Sequence, residues 1–362
     1  MKRALTVLVV AVFLATTAVC GFAQEKKVYN WKMATTWSQG IPWHKTAEQF
    51  ARFAEIASGG QLKIKVFADG AIVPAFEVFD AVRNGVVEMG HDWPGYWKGK
   101  NEAFVAFGSV PFGLNNVDYS IWLFGDKGWD LARELYGKFG IVPFPSGNSG
   151  CEMGFFTKTP MNDMRQLKGK KVRTVGWLAD ILTQMGIGVS PLPGGEVYLA
   201  LDRGVIDSAE FSTPYITFPL GFHEIAKNVI MPGWHQPGVQ LMTIVNKKAY
   251  DSLPPHLQKA LEVAAYATQM WDMATSEKNN GLTIAKYKAK GVKFHQSTPE
   301  SLNELRKITK THVDSLKAKN PDLKKVLDSQ DAYIKDMADW KQIRSGVSAY
   351  PYEMYIKGVH TE

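Results

Sequence analysis

From Gly169 to Pro214 the chain strings together a strand carrying an arginine (Lys171-Val172-Arg173-Thr174-Val175), a helix, a turn at Pro193-Gly194, a second helix and an acidic strand end at Asp207-Ser208-Ala209-Glu210-Phe211. In such an alternating run the strands lie parallel and side by side, and ligands bind in the crevice beyond their carboxyl ends. Arg173 and Glu210 therefore fall at neighbouring strand ends beside one crevice. A guanidinium there holds a carboxylate through two parallel hydrogen bonds, which a lysine point charge cannot do. A glutamate beside an anionic ligand would repel it and have its own pKa raised, unless a cation sits with them. The simplest reading is an anionic solute accompanied by a bound cation.

The chain before this stretch reads as a β-α-β-α-β opening. Trp31 to Trp37 alternates and ends at Ser38-Gln39-Gly40, predicting a first strand. Pro42 starts a helix with Phe50, Phe53 and Ile56 on its apolar face, stopping at Ser58-Gly59-Gly60. Leu62 to Phe67, Phe76 to Asn84 and Val86 to Gly90 give strand, helix and strand. No Gly-x-Gly-x-x-Gly follows the first strand, which argues against a dinucleotide site. His91-Asp92-Trp93-Pro94-Gly95-Tyr96-Trp97 then sets polar aromatic residues at a crevice edge, where they suit either a small-molecule pocket or the core. Tyr119 to Phe139 reads as one or two amphipathic helices.

Ser146-Gly147-Asn148-Ser149-Gly150 is a loop whose glycines let backbone approach a ligand, and Glu152 to Phe156 resumes as a strand. Val239 to Val245 reads as a strand returning to the first half of the chain. Residues 255–290, opened by Pro254-Pro255 and closed by Gly291, form one helix of about 54 Å at about 1.5 Å per residue. That is longer than one small domain, so the helix spans two. The predicted class is α/β, a two-lobed fold with hinge strands and a helix spanning both lobes. Its parts are lobe 1 at 24–150 with a returning segment at 239–253, lobe 2 at 151–238, the long helix at 254–290 and a C-terminal helical segment at 291–362.

Met1 to Ala23 has Lys2 and Arg3, an apolar run and small residues before Gln24, the pattern of a secretory signal peptide. Cys20 leaves cleavage before a lipidated cysteine as the alternative. Loss of Lys2 and Arg3 lowers the formal charge from +7 to +5, and the basic residues are dispersed, so nucleic-acid binding is not expected. After cleavage at Ala23 only Cys151 remains, and an intramolecular disulfide is excluded despite an oxidising compartment. Stability must come from the cores, for which 45% hydrophobic residues is ample.

Val172-Arg173-Thr174-Val175-Gly176, Pro193-Gly194-Gly195-Glu196-Val197-Tyr198 and Gly204-Val205-Ile206-Asp207-Ser208-Ala209-Glu210-Phe211 together resemble the periplasmic solute-binding subunits of tripartite ATP-independent (TRAP) transporters. Trp31-Lys32-Met33-Ala34-Thr35-Thr36-Trp37, Gly147-Asn148-Ser149-Gly150-Cys151-Glu152 and Met231-Pro232-Gly233-Trp234-His235 extend the likeness from Trp31 to about Pro254. The likeness is to members that bind 2-oxo or 2-hydroxy monocarboxylates with a metal cation. It implies a periplasmic, non-enzymatic receptor that delivers a small carboxylate to membrane permease subunits. It also implies Arg173 as carboxylate anchor, Tyr96 and Asn148 as pocket donors, Trp37 and Phe211 as apolar walls, and His235 as either a solute donor or a surface residue. The metal would be held by Glu152, Glu210 and the carbonyl of Phe211, with Glu152 and Phe211 also close to the solute. Some relatives have a neutral glutamine at the Glu152 position; the two carboxylates here favour calcium over sodium, the alternative ion, by charge balance. Either a monomer or a homodimer exchanging the C-terminal segment fits; the stripe Leu323, Val326, Leu327, Tyr333, Ile334, Met337 and Trp340 is its apolar face.

A secreted glycoside hydrolase using Glu152 and Glu210 as acid and nucleophile is the competing class. Arg173 suits a carboxylate better than a neutral sugar. No His-Glu-x-x-His pair supports a zinc hydrolase.

Overall fold

The computed structural model describes residues 27–348, with side chains as far as 343. The expected signal peptide at 1–23 and residues 349–362 of the C-terminal segment lie outside the described residues. Two mixed sheets organise the chain. The first has strand order β2-β1-β3-β10-β4, built from β1 (Tyr29–Thr35), β2 (Leu62–Phe67), β3 (Met89–Asp92), β4 (Ile141–Asn148) and β10 (Gln240–Asn246). The second has order β11-β9-β5-β8-β6-β7, from β5 (Phe155–Thr157), β6 (Lys171–Arg173), β7 (Gly188–Val189), β8 (Ser208–Ala209), β9 (Asn228–Met231) and β11 (Lys293–Gln296).

Several boundaries differ from the sequence expectation for identifiable reasons. β1 ends at Thr35 because its parallel ladder with β2 stops at Ala34↔Phe67, which frees Trp37 to turn inward. β3 starts at Met89, not Val86, because Gly85 turns the chain at φ +75° and leaves Val86 exposed, and pairing with β1 begins at Met33↔Met89. The helix Pro42–Ala57 buries Trp43, Ala47, Phe50 and Ala54, so its inner face runs through Trp43 and leaves Ile56 exposed. The expected helix from Phe76 opens with one tight turn, Ala75–Glu77, before Val78–Arg83. Glu152 lies outside β5: its N–H donates to Gln236 O at 2.9 Å, so the strand begins three residues later.

The chain passes between the sheets three times, first through two strand connections that pair with each other and then through the long helix. Asn148 sits opposite Gln240 at the end of the β4–β10 ladder. Ser149 N–H then donates to Val239 O (3.1 Å) and Val239 N–H to Gly150 O (3.0 Å). This two-stranded ribbon is the geometry a hinge requires, with few elements to bend and its backbone groups paired. The helix Pro255–Ala289, 35 residues, lies along both sides of it. It packs on β4 and the helix Pro42–Ala57 in one lobe and on the turn of helix Pro214–Thr217 in the other. Gln269 Oε1 accepts from Gly147 N–H (2.8 Å), Asp272 Oδ1 from the Thr46 hydroxyl (2.7 Å), and Asn280 Nδ2 donates to Ser149 O (2.9 Å). No helix among the described residues is long and apolar enough to cross a membrane.

Each sheet carries its own core, and a further apolar cluster crosses between them. Trp37, Ile41, Trp43 and Trp93 of the first lobe pack with Met153, Phe156, Val197 and Phe211 of the second. The C-terminal helix Pro321–Ser348 folds back on the first lobe, burying Leu323, Val326, Leu327 and Tyr333 while Ile334 and Trp340 stay exposed.

Candidate functional site

Parallel pairing of β6 with β8 sets Arg173 beside Ala209, so Arg173 and Glu210 emerge next to each other at the carboxyl ends of adjacent strands. Both are fully buried. Arg173 Nη1 donates to Glu210 O (2.8 Å) and Glu210 Oε1 (3.1 Å), and Nε donates to Leu192 O (2.9 Å). Its Nη2 has no protein acceptor. The guanidinium lies over the Phe211 ring at 5.2 Å.

The first crossing delivers Glu152 and the second delivers His235 to the same place. His235 Nε2 is 2.7 Å from Glu152 Oε2 and 3.8 Å from Glu210 Oε2. Glu152, Glu210 and His235 each offer a ligand atom, all within 4.8 Å of one another, and all three residues are buried. Glu152 Oε1 and Glu210 Oε2 have no protein donor. Two glycines make this approach possible. A Cβ on Gly233 would lie 2.2 Å from Glu152 O, and one on Gly154, at φ +129°, would lie 1.9 Å from Ile230 O. Burial, only partly offset by contact with Glu210 and the Arg173 charge, pushes the Glu152 carboxyl well up. Burial and the neighbouring Glu152 raise Glu210 to about 7, and burial lowers His235 to about 4. These are the shifts expected when two carboxyls share a desolvated site that one arginine cannot neutralise. The site is suited to a further positive charge.

The first lobe supplies the opposite wall. Tyr96, in the turn Pro94–Trp97 after β3, faces Arg173, and burial pushes its phenol well above the usual range. Trp37 stacks obliquely on Trp43 at 4.6 Å and lies 6.1 Å from Tyr96; Trp43 in turn lies 5.5 Å from Phe211. Trp37 Nε1 donates to His91 Nδ1 at 2.8 Å, which holds the indole in place. Thus Arg173, Glu152, Glu210, Phe211, His235, Tyr96 and Trp37 belong to one contiguous neighbourhood. Asn148 stands in the hinge ribbon, where its carboxamide accepts from Gly150 N–H and donates to Gln240 Oε1, each at 3.2 Å. The surface alternative for His235 does not hold, since the residue is 1% exposed. Trp97 belongs to the first-lobe core, whereas Trp93 packs edge-on against Tyr96 at 5.3 Å.

Trp43 and His91 are additions from the structure. Trp43 lies seven residues before Phe50, on the same helix face, and that spacing would have found it. Nothing in the local pattern marks His91 as the support of Trp37.

A family model for bacterial extracellular solute-binding protein, family 7 (DctP), matches residues 33–320. The chain belongs to this family. As a member it is a solute receptor with a two-lobed α/β fold. It is 32% identical over 351 residues, 95% of this chain and 96% of the relative, to the monocarboxylate 2-oxoacid-binding periplasmic protein of Nostoc sp. PCC 7120. Among solved structures, a TRAP transporter solute-binding protein from Bordetella bronchiseptica superposes with a TM-score of 0.88 at 29% identity, covering 91% of this chain and 99% of that one. It is described as a mixed-occupancy dimer with copurified calcium and picolinate in one active site. A second, from Pseudoalteromonas atlantica with bound sodium and pyruvate, has a TM-score of 0.84 at 31% identity, covering 89% of this chain and 98% of that one.

Proposed function

We propose that this family member is the periplasmic receptor of a TRAP transporter, closing over one small 2-oxo or 2-hydroxy monocarboxylate together with a metal cation and passing it to the membrane permease. The observation that carries this reading is the group of buried polar atoms left open at one point: Arg173 Nη2, Glu152 Oε1 and Glu210 Oε2. Such atoms are costly to bury unless a ligand completes them. Arg173 and Tyr96 would orient the solute carboxylate. Glu152, Glu210 and the carbonyl of Phe211 would hold the cation, and this set of hard oxygens suits calcium or sodium. His235, whose Nε2 lies 2.7 Å from Glu152 Oε2, would donate to Glu152 and hold that carboxylate in place. Two glutamates and a monocarboxylate bring three negative charges against the single charge of Arg173. Calcium brings the sum to zero, whereas sodium requires one glutamate to keep its proton. The Nostoc relative and the calcium and sodium complexes of the neighbours support the solute class and both ions.

Titration of pyruvate into exhaustively chelated protein, repeated after adding calcium or sodium, tests the reading. Affinity should appear only with the cation, and full affinity in the chelated, sodium-free sample would overturn it. The receptor reading also excludes turnover. Glu152 is engaged by His235 and Glu210 by Arg173, and a buried guanidinium at this point suits a carboxylate better than a neutral sugar. Incubation with glycosides should therefore give no product.

The proposed lobes are 24–150 with 239–253 and 151–238, behind a signal peptide at 1–23. Small-angle scattering should report contraction when solute and cation are added. The exposed Ile334 and Trp340 favour a homodimer formed through the C-terminal segment. Sedimentation showing only monomer at micromolar concentration would remove that part.

A further inference from the structure

Beside His235 the two lobes line a small, partly open cavity of about 10 Å³. The first lobe contributes Trp93 and Ser109 to its lining, and the second contributes His235 and Gln236; Val105 and Leu178 supply apolar wall. All four polar residues are buried, with at most 7% of their surface exposed. Trp93 Nε1, Ser109 Oγ, His235 Nδ1 and Gln236 Oε1 each lack a hydrogen-bond partner in the protein. The Trp93 indole nitrogen packs over Gly108, next to Ser109. Four unpaired buried polar groups on residues lining one small space are expensive as they stand. A space of about 10–15 Å³ open to water centres holds one water, which needs two to four polar partners.

We propose that this cavity is a built site for a single water that bridges the lobes and fixes the tautomer of His235. The hydrogen-bond inventory closes. Indole Nε1 is a donor only and the Gln236 oxygen an acceptor only, while the serine hydroxyl can donate. An ionised Glu152 beside its cation can only accept, so His235 Nε2, 2.7 Å away, donates to it and Nδ1 carries the lone pair. One water then accepts from Trp93 and Ser109 and donates to His235 Nδ1 and Gln236 Oε1, filling all four of its positions. Trp93 and Ser109 come from one lobe and His235 and Gln236 from the other, so the set is complete only when the lobes meet. The water links closure to the imidazole that steadies Glu152. This consequence rests on the cation-assisted carboxylate reading, whereas the water site itself does not.

Crystals of the calcium- and pyruvate-loaded protein at high resolution should show one water peak within hydrogen-bonding distance of His235 Nδ1. An empty cavity would overturn the proposal. Ser109→Val, which drives a methyl group into the space, should remove the peak and lower pyruvate affinity about ten- to a hundredfold, the effect of leaving buried polar groups unpaired. The solute-free melting temperature should hold, because the site forms on closure. Nitrogen NMR of imidazole-labelled protein should show His235 as the Nε2–H tautomer in the loaded wild type and a mixture in the variant. An unchanged tautomer and affinity in Ser109→Val would sink the coupling. Wild-type protein that binds no pyruvate with either cation would overturn the solute assignment instead, and the peak in solute-free closed crystals would still decide the water.

Discussion

Arg173 is buried without residual exposure and spends two of its three nitrogens on Leu192 and Glu210. That leaves one nitrogen, Nη2, without a protein acceptor, and the planar fork is what a lysine cannot copy. Arg173→Lys should weaken pyruvate binding by about 2–4 kcal/mol by calorimetry, although the charge is kept; unchanged affinity would exclude Arg173 as the anchor. Glu152→Gln keeps the size and the contact with His235 but removes one negative charge. It should leave the thermal midpoint close to wild type and shift the cation requirement away from calcium toward sodium, as read by chelator titration. Arg173 and Glu210 were legible in the sequence because β-α-β order alone brings consecutive strand ends together. Glu152 and His235 were legible only through family likeness, since each lies on an irregular crossing whose position no periodicity reports. His91 was not legible as a support, because its role depends on where Trp37 turns after leaving β1.

At the scale of elements, the crossings and the long helix form one hydrogen-bonded unit, and Asp272 is a buried carboxyl within it. Its Oδ2 has no partner, and burial raises the carboxyl from 3.8 to about 6. The folded state thus holds this proton more tightly than the unfolded chain does. The resulting stabilisation is present below pH 3.8 and is lost as pH rises through about 6. Asp272→Asn should flatten that part of the stability profile, by on the order of 3 kcal/mol across the window. Thermal midpoints of the two proteins measured from pH 4 to 7 check this, and parallel curves would contradict it. Gly154 marks the other sensitive point, where β5 begins against Ile230. Gly154→Ala should cost about 3 kcal/mol or more in chemical denaturation, because both the dihedral and the Ile230 carbonyl oppose a Cβ. Long helices and alternating strands appeared where periodicity put them, Pro255–Ala289 almost to the residue. The short strands of the second sheet were overextended, since β6 and β8 stop where their backbone turns to present Arg173 and Glu210.

For the whole molecule, two sheets with separate cores were foreseeable from the length of one helix and the return of β10. What could not be foreseen is how the lobes meet. The cluster joining Trp37, Trp43 and Trp93 to Met153, Val197 and Phe211 belongs to neither lobe alone. It gives closure a calorimetric signature of its own. Apolar surface withdrawn from water lowers the heat capacity, and here most of that surface belongs to the protein, not to the ligand. Calorimetric titrations of pyruvate at several temperatures should therefore give an enthalpy that becomes steadily more negative on warming, with a slope too steep for a three-carbon acid to account for by itself.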